Sequence, residues 1–284
     1  MEIRTVGVLG CGLMGSGIAQ VAAGAGYKTI VREVNDGALQ SGMARIKKFL
    51  ADGVSKGKVT QALHDQTLAN LSGTTNTADL TPCDIVIEAI VENVEEKRAI
   101  YQAVEAAIRP DAILASNTSS LCITELATTT KHPDRFGGLH FFNPVPLMKL
   151  VEVIRALTTS DETNRQLTAF ATTLGKEPIA APDRPGFIVN RLLVPYMLDA
   201  IREYERGLGT IEDIDKGMKL GCGHPMGPFT LLDFVGLDTT YYIANIMFDE
   251  YRETRFAPPP LLKRMVLAGY LGRKTKRGFY KYGD

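Results

Sequence analysis

Tryptophan is absent from the 284 residues, and histidine and cysteine occur only four times each. Cys11, Cys83, Cys122 and Cys222 have neither CxxC spacing nor a histidine cluster beside them, which argues against a zinc site and a secreted disulfide framework and fits a reducing cytoplasm. Net charge is lacking too. With 32 basic residues balancing 32 acidic ones, no overall field draws the chain toward nucleic acid or a membrane surface. No internal repeat or low-complexity segment interrupts a composition that is 45% hydrophobic and 23% charged, as in globular proteins. This length accommodates two domains of ordinary size, each with its own core. The uncharged run from Thr5 to Tyr27 imitates a leader or a membrane span, but it carries seven glycines, a density that weakens a continuous helix.

What is present is an alternation of strand and helix signals. Residues 3–9 read as a buried parallel strand ended by glycine, and a helix from Leu13 follows, with Met14, Ile18, Val21, Ala22 and Ala25 on one face and Gly24 and Gly26 at its end. Further strands are predicted at 29–31, 84–88, 113–115, 136–140 and 150–154. Helices are predicted from Asp36 toward Gly53 and from Val94 to Ile108, with a basic loop around Lys56 and Lys58. This pattern implies an α/β fold, a Rossmann-like, mostly parallel sheet covered on both faces. Beyond Pro182-Asp183-Arg184-Pro185-Gly186 the spacing becomes helical throughout, at 189–201, 211–220, 228–249 and 261–268. A dinucleotide-binding domain over 1–184 and a separate all-α domain over 185–284 are therefore expected. Pro195 falls inside the first of these helices and should kink it.

Gly10-Cys11-Gly12-Leu13-Met14-Gly15 is a GxGxxG between the first strand and the first helix. Such glycines allow a tight turn, close approach of the backbone to a pyrophosphate, and close packing of helix on strand. Glu33, closing the second strand, is placed to accept hydrogen bonds from ribose hydroxyls and to repel a 2′-phosphate, so NAD is favoured over NADP. Arg32 beside it reads as a solvated charge at a strand end; a contact to a 2′-phosphate is the alternative.

Ligands of open α/β sheets bind beyond the carboxyl ends of the strands, where Ser116-Asn117-Thr118-Ser119-Ser120 and His140-Phe141-Phe142-Asn143-Pro144 both fall. Oxidising an alcohol needs a base beside the carbinol carbon, and imidazole titrates in the right range. Pro144 and Pro146 force a turn, after which an antiparallel return would set Glu152 opposite His140, where a carboxylate fixes the imidazole tautomer. A structural histidine with an unrelated glutamate stays open on spacing alone, as does a helix-capping function for Ser119.

These residues carry a resemblance. The stretches Gly10 to Gln20, Ile87 to Asn93, Ala115 to Ser120, His140 to Pro146 and Pro185 to Arg191, continuing through Ile214-Asp215-Lys216, His224 to Pro228 and Leu271 to Lys274, resemble the successive motifs of the 3-hydroxyacyl-CoA dehydrogenases across essentially the whole chain. The resemblance implies NAD-dependent oxidation of a short (S)-3-hydroxyacyl-CoA to the 3-ketoacyl-CoA, and the reverse reduction of acetoacetyl-CoA. It implies His140 as general base, Glu152 as its partner, and Ser119 and Asn190 on the reacting oxygen and the neighbouring carbonyl. Because Asn190 follows the domain boundary, domain closure would complete the site. Glu92, Lys97, Asn117, Ser119, Asn143 and Lys274 match cofactor-contacting positions, and Lys56 matches a position that meets the phosphates of CoA. Two departures stand out: Phe49 and Asp52 replace polar or basic contacts on the CoA arm, and Glu33 stands where the family more often has Asp. The family further implies a homodimer through the helical domain, with Phe229, Leu231, Leu232, Phe234 and Val235 in that domain's apolar surface. A β-hydroxyacid dehydrogenase acting without CoA, and a non-catalytic crystallin-like NAD-binding protein, are the competing readings. The first lacks the His140 and Glu152 arrangement, and the second would be favoured by loss of residues that are all present here.

Overall fold

The computed structural model describes residues 2–283. By its internal contacts the chain divides into two compact units, Met1–Asp183 and Arg184–Asp284.

The first unit is built on strands β1 (Thr5–Leu9), β2 (Lys28–Arg32), β3 (Leu71–Thr74), β4 (Ile85–Glu88), β5 (Ile113–Ser116), β6 (Phe136–Phe141), β7 (Leu150–Ile154) and β8 (Glu177–Ala181). Its helices are α1 (Leu13–Gly24), α2 (Asp36–Ser55), α3 (Gln61–Ala69), α4 (Val94–Glu105), α5 (Ile123–Ala127) and α6 (Asp161–Thr173). The strands form one sheet of eight, in the order β3-β2-β1-β4-β5-β6-β7-β8. Every neighbouring pair is parallel except β6 with β7. Central strands such as β4 and β5 are buried at every position, as a sheet covered on both faces requires. Valine and isoleucine from β1, β4, β5 and β7 join α1, α2 and α6 in one apolar cluster. Asn35, Thr60, Asn93 and Ser160 each accept a backbone N–H at the start of α2, α3, α4 and α6. Such caps contribute about 0.5–2 kcal/mol apiece.

Helices α3, α5 and α6 and strands β3 and β8 are not among the elements expected from the sequence, although Leu167, Phe170 and Ala171 give α6 a buried face at helical spacing. Leu71-Ser-Gly-Thr has no apolar run because β3 is an edge strand with exposed side chains, held to β2 by backbone pairing.

The second unit consists of α7 (Val189–Glu205), α8 (Ile211–Cys222), α9 (Pro228–Val235), α10 (Leu237–Tyr251) and α11 (Pro260–Leu267). The single helix expected over 228–249 is two, parted at Gly236 with φ +101°. Helix α7 is assigned without a break through Pro195, and the Arg191 carbonyl that this proline cannot satisfy is met by the Arg255 guanidinium at 3.4 Å. Phe229 and Leu232 lie fully in the core; Leu231 and Phe234 are only partly covered. Two buried aspartates organise this unit. Asp215 accepts the Phe229 and Thr230 amides at 2.7 and 2.9 Å, and Asp233 accepts those of Phe279 and Tyr280 at 2.9 and 2.8 Å.

Candidate active site

The sheet order reverses between β1 and β4, and the glycine loop sits at that crevice. Gly10 has φ +88°, and a Cβ there would lie 2.8 Å from the Ala89 carbonyl oxygen. A Cβ on Gly15 would come within 1.9 Å of the Gly10 oxygen, so helix α1 can seat on the loop only as glycine. Gly12 differs: its added Cβ would meet nothing within 4 Å. The space beside it is open, and Gly12, as the N-cap residue, has no side chain with which to cap the first amides of α1. Uncapped amides at a helix start attract phosphate.

Glu33 is fixed by both oxygens, Oε2 accepting the Cys11 amide and Oε1 the Val34 amide, each at 2.7 Å. Each carboxylate oxygen keeps a second lone pair for a ribose hydroxyl. Burial, with Glu33 close by, pushes the Cys11 thiol up to about 11, so it stays protonated at neutral pH. A cavity of about 680 Å³ runs past Gly12, Leu13, Glu33, Val34 and Ile90. Arg32 also lines it and is not the solvated charge expected: it is half-buried, and its Nε is buried with no hydrogen-bond partner in the described residues. Open amides, a fixed acid and an orphaned guanidinium nitrogen fit a dinucleotide.

Beyond β4 and β5 a buried charge network fixes the next loop. Glu88 accepts the Ile90 amide, Lys97 Nζ, the Tyr101 hydroxyl and the Ser116 hydroxyl at 2.7, 2.6, 2.6 and 2.7 Å. Lys97 is 1% exposed and also reaches Glu92 at 3.1 Å. Burial alone lowers its pKa, but Glu88 and Glu92 reverse this and hold it above the ordinary lysine value. Glu92 in turn accepts the Thr118 hydroxyl and the Ser119 amide, the latter at 2.9 Å. Ser119 is left half-buried at the loop's tip. It caps no helix, since Asp183 takes the Ile123 and Thr124 amides of α5 at 2.7 Å each. Asn117 is tied down by accepting the Phe141 amide at 2.9 Å. A charge closing the apolar run of β4 signals Glu88 in the sequence; nothing local marks its partners Tyr101 and Ser116.

At the end of β6, His140 pairs directly with Glu152 of β7 in the antiparallel register. His140 Nδ1 lies 2.7 Å from Glu152 Oε2; the imidazole is 7% exposed and the carboxylate fully buried. The Phe142 ring packs at 4.6 Å from the imidazole centroid. Glu152 thus holds the imidazole through Nδ1, fixing the ring's orientation. Asn143, before a cis peptide to Pro144, is exposed.

The remaining expected residues are spread along the chain. Lys56 is exposed at the end of α2 and, with Phe49, Asp52 and Lys58, lines a second cavity of about 710 Å³ in the first unit. In the second unit, Asn190 is half-buried in the first turn of α7, and Lys274 Nζ bonds the Asp238 carboxylate at 2.6 Å.

A phosphate-seeking glycine turn after β1, an acid at the end of β2 and a carboxylate-steadied histidine on β6, three strands from the turn, define a nicotinamide-linked dehydrogenase of alcohols. Comparison with known proteins narrows the class. Residues 5–184 match the 3-hydroxyacyl-CoA dehydrogenase NAD binding domain, and residues 186–282 match the 3-hydroxyacyl-CoA dehydrogenase C-terminal domain. The 3-hydroxybutyryl-CoA dehydrogenase of Mycobacterium tuberculosis H37Rv is 50% identical over 282 residues, 99% of each chain. The crystal structure of M. tuberculosis FadB2 superposes with a TM-score of 0.98 at 49% identity, covering 100% of both chains. That of (S)-3-hydroxybutyryl-CoA dehydrogenase PaaH1 from Ralstonia eutropha gives 0.95 at 45% identity, again covering 100% of both. The chain belongs to the 3-hydroxyacyl-CoA dehydrogenase family and is an NAD-dependent oxidoreductase of 3-hydroxyacyl-CoA.

Proposed function

We propose that the chain interconverts short (S)-3-hydroxyacyl-CoA and 3-ketoacyl-CoA thioesters, acetoacetyl-CoA being the substrate of the reverse reaction. The bond between His140 and Glu152 carries this reading: a buried carboxylate on Nδ1 orients the ring so that Nε2 serves as general base and acid. Bound NAD supplies the acceptor for the hydride leaving C3. Nε2 of His140 removes the C3 hydroxyl proton in oxidation and returns it in reduction. Ser119, held through its amide by Glu92, and Asn190 hydrogen-bond the reacting oxygen and the neighbouring carbonyl. The thioester takes no covalent part, so Ser119 needs no activation as a nucleophile.

Gly10, Cys11, Gly12, Leu13, Met14 and Gly15 hold the pyrophosphate by backbone, and Glu33 the adenosine ribose. Glu92, Lys97, Asn117, Asn143 and Lys274 complete the cofactor contacts. Lys97 has two of its N–H groups directed at Glu88 and Glu92, leaving a third as the donor. Lys56 meets the CoA phosphates at the mouth of the second cavity. The dinucleotide domain is assigned to 1–184 and the helical domain to 185–284, the latter pairing two copies in a homodimer. No helix among the described residues is long and apolar enough to cross a membrane. The cysteines stand unpaired, which supports the cytoplasm as the working compartment.

The test is loss of NADH absorbance with acetoacetyl-CoA, comparing the parent with His140→Gln. Removing a general acid should slow turnover by about 10²–10⁴-fold. Equal rates would refute the assignment of His140, and no turnover by the parent would refute the substrate.

A further inference from the structure

Lys176 is 7% exposed, yet it carries a charge that nothing in the sequence assigns to a site. It enters β8 directly after the Gly175 turn, with its amide on the Ala171 carbonyl at 3.2 Å. Its Nζ donates to the Val145 carbonyl at 2.6 Å and to the Met148 carbonyl at 2.8 Å. Both acceptors are neutral, no described carboxylate pairs with the ammonium, and burial lowers its pKa below the ordinary lysine value. An unpaired buried cation costs free energy that apolar packing would not, so two good carbonyl bonds are needed to keep it there.

Those carbonyls belong to the segment joining His140 on β6 to Glu152 on β7. The segment folds on itself, the Pro144 carbonyl accepting the Leu147 and Met148 amides at 2.9 and 3.0 Å. Val145 also packs on α1, where a Cβ on Gly17 would stand 2.8 Å from its Cβ. On the far side the Glu177 amide bonds the Lys149 carbonyl at 2.8 Å, so β8 begins alongside the segment's end. Lys176 thus spans the turn that sets the register between the imidazole and its carboxylate. A slip of one residue would carry Glu152 to the opposite face of the sheet.

We propose that Lys176 is a positioning residue for the His140–Glu152 pair, clamping the loop between them, and is not a ligand of the substrate's phosphates. The proposal rests on the dehydrogenase reading above. Because Lys176 also borders the cavity that Lys56 lines, the phosphate alternative is distinguishable only by substrate choice.

The experiment compares the parent with Lys176→Met, using acetoacetyl-CoA and acetoacetyl-pantetheine, which lacks the nucleotide and its phosphates. Lys176→Gln, which keeps a donor but is too short to span both carbonyls, is the second variant should the first fail to fold. The expected result is a fall in kcat of roughly 10- to 100-fold with both substrates, as for loss of other residues that orient a reacting group. NADH affinity by fluorescence titration stays unchanged, and the kinetic isotope effect with deuterated NADH rises as hydride transfer becomes limiting. A raised KM for acetoacetyl-CoA alone, with kcat and the pantetheine reaction unaffected, would make Lys176 a phosphate ligand and overturn the proposal. So would a parallel loss of NADH affinity and thermal stability, which marks general disruption. An inactive parent refutes the substrate reading; an active parent with equally active variants refutes only the clamp.

Discussion

His140 and Glu152 face one another across β6 and β7, with 2.7 Å between Nδ1 and Oε2. The pairing depends on strand register, so it is rigid, and its chemistry depends on the carboxylate's charge and acceptor character. Glu152→Gln keeps the shape but removes the charge and allows an N–H to face the ring. It should reduce kcat by at most the roughly 10²–10⁴-fold expected of the acid–base group itself, with KM for NADH unchanged. Steady-state kinetics in both substrates decides it, and an unaltered kcat would show that the tautomer is fixed by something else.

Gly12 and Gly15 separate binding from folding. A Cβ at position 12 enters open space, whereas one at 15 lands 1.9 Å from the Gly10 oxygen. Gly12→Ala should therefore keep its stability within about 0.5 kcal/mol, as substitutions without buried contacts do, and bind NADH more weakly. Gly15→Ala should lose both. Urea unfolding paired with NADH titration checks the contrast.

Glu33 is expected to read the 2′ position of the adenosine ribose. Hydrogen bonds to a charged group contribute roughly 1.5–3 kcal/mol, so Glu33→Ala should weaken NADH binding about tenfold or more. NADPH binding should suffer less, because the repulsion of a 2′-phosphate goes with the carboxylate while Arg32 remains. Titration of both cofactors tests this; equal losses would contradict it.

Lys97 holds two carboxylates together in the interior, and Lys97→Met would leave them facing without a cation. Breaking a buried pair in this way costs about 3–5 kcal/mol. The lysine's pKa is raised in the folded chain, so its contribution is complete below the ordinary value of 10.5 and declines as pH climbs through the higher folded value. The stability gap between parent and variant in urea should be largest while lysine and carboxylates are all ionised, and narrow in strong alkali as the lysine loses its proton.

Much of the site is legible in the sequence because its parts are local. A glycine turn after a strand, an acid at the next strand's end and a proline-bent hairpin are each written within a few consecutive residues. Most of the elements that escape notice have little period of their own, though α6, with Leu167, Phe170 and Ala171 on one face, is an exception. Strand β3 is polar and takes its place from backbone bonds to β2, and the break at Gly236 lies inside an apolar stretch that reads as one helix. The supporting shell is likewise hidden, since Glu88 meets Ser116 28 residues away and Lys176 meets Val145 31 residues away. Such partners are fixed by sheet order, which spacing along the chain does not encode.

The thiol of Cys11 touches the helix behind the glycine turn so closely that a Cβ on Gly42 would stand 2.2 Å from its sulfur, and Cys83 is as deeply enclosed. Cys222, at the end of α8, is exposed. A maleimide dye applied near neutrality therefore has a ready target on the helical unit while the nucleotide turn stays chemically untouched, providing an optical reporter on the native chain without engineering a new attachment point.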